Sequence, residues 1–469
     1  MDCLNIFRRR EECWLPGRLA TTILNNEMAQ LSLLSSVAHW ATLEESSEQH
    51  FSFSPLQYTS KDTSPLSNYV MHPFWDQAVK LVPRNVAPNV LTFSGFALTV
   101  VNVVLLSTYD YAFYASSDLH PEAPPVPPWV WLVCALNQFL AHTLDGIDGK
   151  HARHTGSSGP LGELFDHGLD SWATLFMPVC LYSVFGRAEL SCSTWRFFLI
   201  LCNVHFCFIL SHWEKYNTGI LYLPWGYDIS QMILLSSFVL TYLKSYQFWK
   251  FTVLGFGAGE CLELMLHGGS FFMTIPMCLY NIHCARVEGR LRQRSLLEVV
   301  RPMGSVLALF LLSLTWVLAS RDSILEREPR IFYLVLGTVF SNISCRLIIS
   351  QMTSTRCEAF NLLLLPVAAS LAASVYLDVD EALLLKVLAA AVTLAHIHYG
   401  VCVVSPASRA APGPLGTIRA SEVPRLLQGE APAYGSSGGG LKSRSRCPQY
   451  GGDSWRRRQQ DFSYASKDP

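Results

Sequence analysis

The sequence predicts an all-α protein, a polytopic membrane helix bundle of about ten transmembrane helices, and three observations lead there. Half of the 469 residues are apolar and only 15% are charged, against roughly 25% charged in a soluble domain. Apolar stretches of spanning length recur along the chain. The charges that remain are sorted by sign between the segments that would connect them.

Each span follows from length. A hydrocarbon layer about 30 Å thick takes about 20 mostly apolar residues at a rise of about 1.5 Å per residue. That filter selects ten stretches, at 90–107, 128–144, 169–185, 195–210, 229–243, 264–282, 303–319, 331–349, 362–376 and 382–401. The stretches at 229–243 and 362–376 are the shortest. Loop charge sets the orientation, because cytoplasmic loops carry an excess of Lys and Arg. The 108–126 loop holds Asp110, Asp118 and Glu122 and no Lys or Arg, which places it in the lumen. The loop with Arg286, Arg290, Arg292 and Arg294 belongs in the cytosol. Counting from a cytosolic N-terminus satisfies both, puts the turn at Asp378, Asp380 and Glu381 in the lumen, and leaves both termini cytosolic.

Three segments are expected: a flexible N-terminal extension over 1–63, the membrane-embedded domain over 64–404, and a disordered cytosolic tail over 405–469 that is rich in Gly, Ser, Pro and Arg. Arg8 to Arg10 precede any apolar stretch, and no apolar core with a small-residue cleavage site follows, so the first spanning helix is expected to do the targeting. The net charge of -1 supplies no global field, and nucleic-acid binding is not supported. Fourteen cysteines are scattered, many inside apolar runs, without metal-ligand spacing. They read as thiols buried in membrane helices. No internal repeat supports an inverted-repeat transporter.

The chemistry is concentrated in LDGIDGKHARHTGSSGPLGELFDHGLDSW, between the second and third spans. Asp145, Asp148, Asp166 and Asp170 lie there beside or within apolar helices. An ionised carboxylate near hydrocarbon costs several kcal/mol unless it is paired or metal-bound, so four together demand a compensating charge. Asp145 and Asp148 are three apart and Asp166 and Asp170 four apart, so each pair shares a helix face. Two such pairs on adjacent helices can form one oxygen-rich cage, suited to Mg²⁺, Mn²⁺ or Ca²⁺ rather than zinc. Metals so held neutralise a diphosphate and position it for in-line attack. Gly146, Gly149 and Gly162 let helices and ligand approach closely, while Lys150 and Arg153 offer cationic donors to phosphate oxygens. His167 can take the proton from an attacking alcohol at neutral pH, or can orient Asp166.

Blander roles are weighed for the other polar residues. The aspartates could be a capping or lumen-facing patch in a channel, although their spacing disfavours it. His396 and His398, two apart on a helix, face different ways and read as packing or interfacial residues. His212, Glu214 and Asp228 read as interfacial groups near span ends, with lining of the donor site as the alternative. The arginines from 286 to 294 are the positive-inside signal, ahead of anionic-lipid binding.

Asp148-Gly149-x-x-Ala152-Arg153, eight residues, Gly162, three residues, Asp166, three residues and Asp170 resembles the signature of the CDP-alcohol phosphotransferase class-I family at every fixed position. Around it, SPLSNYVMHPFW, APNVLTFSGF, LSHWEKYNTGILYLPWGYDISQ, QMTSTRC and LAHIHYG are similar to eukaryotic ethanolaminephosphotransferases of the selenoprotein I type, over about 64–401. The resemblance implies transfer of phosphoethanolamine from CDP-ethanolamine to diacylglycerol, with phosphatidylethanolamine and CMP as products and Mg²⁺ or Mn²⁺ required. It implies that Asp145, Asp148, Asp166 and Asp170 bind metal, and that Asn89, Gly149 and Arg153, with Gly162, line the nucleotide. His167 is the chosen base, and the role falls to Asp170 in some prokaryotic members. It implies the endoplasmic reticulum membrane or the Golgi, with a homodimer left open. One departure stands out: His154-Thr155-Gly156 occupies the place of Arg-Thr-Asn. Cholinephosphotransferase or dual specificity is the alternative. An aspartate-rich prenyltransferase would not carry the Ala152-Arg153 to Gly162 spacing, and an inactive carrier or scaffold sits poorly with four intact aspartates.

Overall fold

The computed structural model describes residues 60–410, apart from 63, 119, 188–189, 224–225 and 294. The expectations for the first 59 residues and for the tail after 410 lie outside the described residues. Short elements come first. Strand β1 (Ser60–Asp62) is followed by a π turn at Ser67–Met71 and by helix α1 (His72–Ala78). The long helices follow as α2 (Pro88–Tyr109), α3 (Pro128–Thr155), α4 (Pro160–Phe185) and α5 (Thr194–Thr218). After β2 (Leu221–Leu223) come α6 (Gly226–Lys244) and a β3 (Thr252–Val253), β4 (Phe256–Gly257) hairpin. Helices α7 (Ala258–Gly269) and α8 (Ile275–Val287) are joined through a π turn, and the short α9 (Leu296–Val300) leads into α10 (Met303–Ala319). The last elements are α11 (Ile324–Arg327), α12 (Pro329–Thr353), α13 (Leu364–Tyr376) and α14 (Glu381–Ala410).

The chain is a multi-pass, all-helical membrane protein. Among the described residues six helical segments are long and apolar enough to cross a bilayer: α2, α4, α5, the continuous Ala258–Val287 unit, α12 and α14. Helices α10 and α13 are shorter apolar helices. The two remaining apolar windows, 128–144 and 229–243, form the body of α3 and most of α6. Helix α3 is less apolar for a physical reason: Asn137, Gln138 and His142 interrupt its body, and its last turns carry Asp145, Asp148, Lys150 and Arg153.

In hydrocarbon every backbone N–H and C=O must be satisfied within the structure, which is why the spans are helices. Apolar burial gives little drive between helices there, so close approach and interhelical hydrogen bonds hold the bundle. Helix α12 is the centre, buried on all sides and packed against α4, α5, α10 and α14. It is accordingly rich in small and polar residues. Gly337 lets Leu175 of α4 lie where a β-carbon would be 2.6 Å away. Ser341 Oγ sits 2.7 Å from Ser171 Oγ and 3.1 Å from His396 Nε2, and Trp172 donates to Thr338 Oγ1 at 3.1 Å. His396 is thus a buried packing residue at a helix contact, as its spacing suggested.

Two features position the site. Helix α2 packs on both α3 and α4, whereas α3 and α4 do not pack closely on each other. A cleft is left between the two helices that carry the aspartates. At the same end, β1 pairs in parallel with β2, Ser60 opposite Leu221, so the chain joins the domain before the boundary expected at 64. Helix α1 then lies across α3, burying Met71, Trp75 and Val79 with Leu91 and Ile147 and leaving Tyr69, Val70 and Leu81 exposed.

Candidate active site

Helix α3 ends through Gly156, which has φ of 67° and caps the helix in the left-handed conformation. Asn is the other residue that suits this position, so the departure from Arg-Thr-Asn keeps the turn chemistry at 156. A short link leads to Pro160 at the start of α4, a position where a missing N–H costs nothing. The tight return brings the last turns of α3 opposite the first turns of α4.

There the carboxylates converge. Ligand atoms of Asp145, Asp148 and Asp166 all lie within 4.8 Å of one another, and so do those of Asp166, His167 and Asp170. Asp166 belongs to both sets, which makes one continuous cluster. Among the described residues no lysine or arginine is paired with any of the four acids. An oxygen-rich set of four carboxylates without protein counter-charge fits a hard divalent cation. His167 is buried, with Nδ1 3.9 Å from Asp166 Oδ2 and 3.7 Å from Asp170 Oδ2, and its ring meets that of His212 edge-on at 5.4 Å.

The four aspartates and His167 thus fall in one place, and the residues expected on the nucleotide side lie beside it. A β-carbon on Gly162 would lie 3.6 Å from Asn89 Oδ1, so the first turns of α2 and α4 abut. A β-carbon on Gly149 would lie 3.7 Å from Arg153 Nη1, and both residues are exposed in the last turns of α3. Two neighbours differ from the sequence expectation. Lys150 is paired with Asp76 of α1 at 2.7 Å instead of facing open phosphate space. Gly146 gives room to a protein side chain and not to a ligand: a β-carbon there would sit 2.1 Å from the Trp75 ring.

Hydroxyls that the sequence did not single out complete the cluster. Tyr227, in the first turn of α6, donates from Oη to Asp145 Oδ2 at 2.7 Å. Thr92 of α2 donates from Oγ1 to Asp148 Oδ2 at 2.5 Å. Both residues line the cleft, together with Asp145, Asp170, Gln231 and Met177. Asp228 is engaged with other partners, accepting from His142 Nε2 at 3.2 Å and from Ser67 Oγ. Glu214 accepts from Asn281 at 2.7 Å, clear of the cluster. The signal for Tyr227 was its place beside Asp228 in WGYDISQ; nothing in spacing tied that segment to Asp145.

Helical spans, a cleft between the ends of α3 and α4 and a carboxylate cluster that could hold a metal ion define a membrane enzyme of the CDP-alcohol phosphotransferase class. The chain belongs to the CDP-alcohol phosphatidyltransferase family, whose pattern matches residues 85–260. It is 47% identical over 368 residues to ethanolaminephosphotransferase 1 of Mus musculus, covering 78% of this chain and 92% of that protein. With the Homo sapiens protein of that name it is 46% identical over 369 residues, 77% of this chain and 91% of the relative. Cholinephosphotransferase 1 of Homo sapiens is more distant, 30% identical over 296 residues, 60% of this chain and 67% of that protein. The family resemblance read from the Asp148 to Asp170 spacing is therefore borne out.

Proposed function

We propose that the chain transfers phosphoethanolamine from CDP-ethanolamine to the free hydroxyl of diacylglycerol, giving phosphatidylethanolamine and CMP. The observation that carries this is 46–47% identity across 91–92% of two ethanolaminephosphotransferases, against 30% across 67% of a cholinephosphotransferase. Choline remains the second reading, supported by that more distant kinship.

Asp145, Asp148, Asp166 and Asp170 would hold Mg²⁺ or Mn²⁺, which offsets diphosphate charge and polarises the phosphoryl group under attack. The chain's own groups do the rest. Arg153, Gly149, Asn89 and Gly162 would take the cytidine diphosphate at the rim, where Arg153 supplies charge-assisted donors and the glycines admit the phosphates. His167 accepts the proton of the acceptor hydroxyl as its oxygen bonds to the phosphorus that carries ethanolamine. The anhydride bond to CMP breaks, and CMP leaves with the electron pair. The cleft is bounded by spans and opens at a polar rim, which suits a water-soluble donor from one side and a lipid from the other. The Arg286, Arg290 and Arg292 loop supports a cytosolic rim and cytosolic termini in the endoplasmic reticulum membrane or Golgi.

Membranes from cells lacking endogenous transferase, expressing the chain and given diacylglycerol with CDP-ethanolamine or CDP-choline, test this directly. Phosphatidylethanolamine should form, and a chelator should abolish it. Phosphatidylcholine as the main product, or turnover after complete metal removal, would overturn the reading.

A further inference from the structure

We propose that Tyr227 and Thr92 are positioning residues that aim the two aspartates of α3 at the bound cation, a role that rests on the metal-dependent reading above. A carboxylate on a helix rotates about its terminal bond, and a cage holds a cation tightly only when that rotation is stopped. Here each acid accepts from a neutral hydroxyl, Tyr227 Oη on Asp145 Oδ2 at 2.7 Å and Thr92 Oγ1 on Asp148 Oδ2 at 2.5 Å, while the Gly149 backbone N–H holds the other oxygen of Asp148. A hydroxyl donor leaves the carboxylate its charge. It also leaves lone pairs on both oxygens for a metal.

The two donors come from α6 and α2, the two helices packed most extensively on α3. That origin matters because α3 and α4 do not pack closely on each other, so the span of the cage is set by what braces α3 from outside. Each donor is braced in turn. The residue after Tyr227, Asp228, is locked by His142 of α3 at 3.2 Å and by the Ser67 hydroxyl, which fixes the first turn of α6 against α3. Thr92 lies one turn beyond Asn89 on the same face of α2, where Asn89 abuts Gly162 of α4. Thr92 thereby registers α3 against both α2 and the start of α4. Hydrogen-bond partners behind metal ligands commonly contribute 10- to 100-fold in metal affinity.

The test uses the full chain in detergent, with Mn²⁺ alone as the probe and the paramagnetic resonance of free Mn²⁺ as the readout. Tyr227→Phe and Thr92→Val should each weaken Mn²⁺ binding by about 10- to 100-fold, and Thr92→Ser, which restores the hydroxyl, should bind close to wild type. Melting temperatures measured without metal separate this from a general loss of fold, and the matched Val and Ser variants keep the comparison independent of Tyr227. Wild-type affinity in both Tyr227→Phe and Thr92→Val would overturn the positioning role while leaving the aspartate cage standing. Absence of Mn²⁺ binding by the wild-type chain would remove the cage and this inference together, and Asp166→Asn serves as the non-binding control.

Discussion

At the scale of single residues, Asp166 is the centre of the cluster, because it is the one acid shared by both groups that could hold a metal. Asp166→Asn removes its charge without changing its size. Turnover should fall by at least about 100-fold, more than the loss of a supporting partner gives, while membrane insertion and melting temperature stay near wild type; wild-type rates would mean that the cage is misassigned. His167 has a different signature. Its replacement by Ala should cost about 10²- to 10⁴-fold, the usual worth of a general base. Mn²⁺ affinity in His167→Ala should stay near wild type, and loss of metal binding there would make His167 an orienter of Asp166 and move the role of base to Asp170. What was legible in the sequence at this scale was every carboxylate of the cluster, because carboxylates in hydrocarbon are costly enough to need a reason. The hydroxyls of Thr92 and Tyr227 carry no such cost, and their place beside the acids arises only from contacts across helices.

At the scale of elements, the site depends on a helix that crosses no membrane. Helix α1 presses Trp75 onto Gly146, its ring edge-on to His142 at 5.4 Å, and Asp76 onto Lys150. Gly146→Ala would place a methyl inside the Trp75 ring and force α1 off α3. Overpacking of that kind costs about 1–3 kcal/mol, which should appear as a lower melting temperature together with reduced activity. Combining Gly146→Ala with Trp75→Leu should recover part of both, and no recovery would mean that the glycine serves the substrate and not the helix. The spans themselves were readable from apolar length: nine of the ten windows fall within a helix, or a helix pair, of the fold, and 362–376 begins two residues before α13. Two things were not readable. The Gly146 contact comes from a segment 71 residues away in the chain, and the loose α3 and α4 pairing runs against the plain expectation that consecutive helices pack.

At the scale of the molecule, a buried arginine helps tie the end of the bundle away from the aspartates. Arg330 of α12 lies over the Phe113 ring at 3.9 Å, donates to the backbone carbonyls of Asp110 and Tyr111 and to Ser183 Oγ, and sits 3.7 Å from the Asp110 carboxylate. Burial pushes the Asp110 carboxyl up to about 6, and the Arg330 guanidinium restrains that rise. Breaking a buried pair by removing one partner costs about 3–5 kcal/mol, so Arg330→Met should lower the melting temperature markedly at neutral pH. A carboxyl raised in the folded state favours folding at low pH and loses that contribution as pH rises through its folded value. Without Arg330 the rise is larger, so the deficit should be widest above pH 7 and should narrow toward pH 5, where Asp110 can be neutral. A deficit independent of pH would show that the packing on Phe113, and not the charge pair, is what α12 needs.

The most direct measurement is reconstitution of the purified full chain into lipid particles containing diacylglycerol, stripped of metal and then given CDP-ethanolamine with and without Mn²⁺, with phosphatidylethanolamine and CMP quantified together. Equimolar appearance of both products only when Mn²⁺ is restored, and its loss in Asp166→Asn, is the predicted result. Product formed without metal, or CMP released without phosphatidylethanolamine, would contradict transfer at the aspartate cluster.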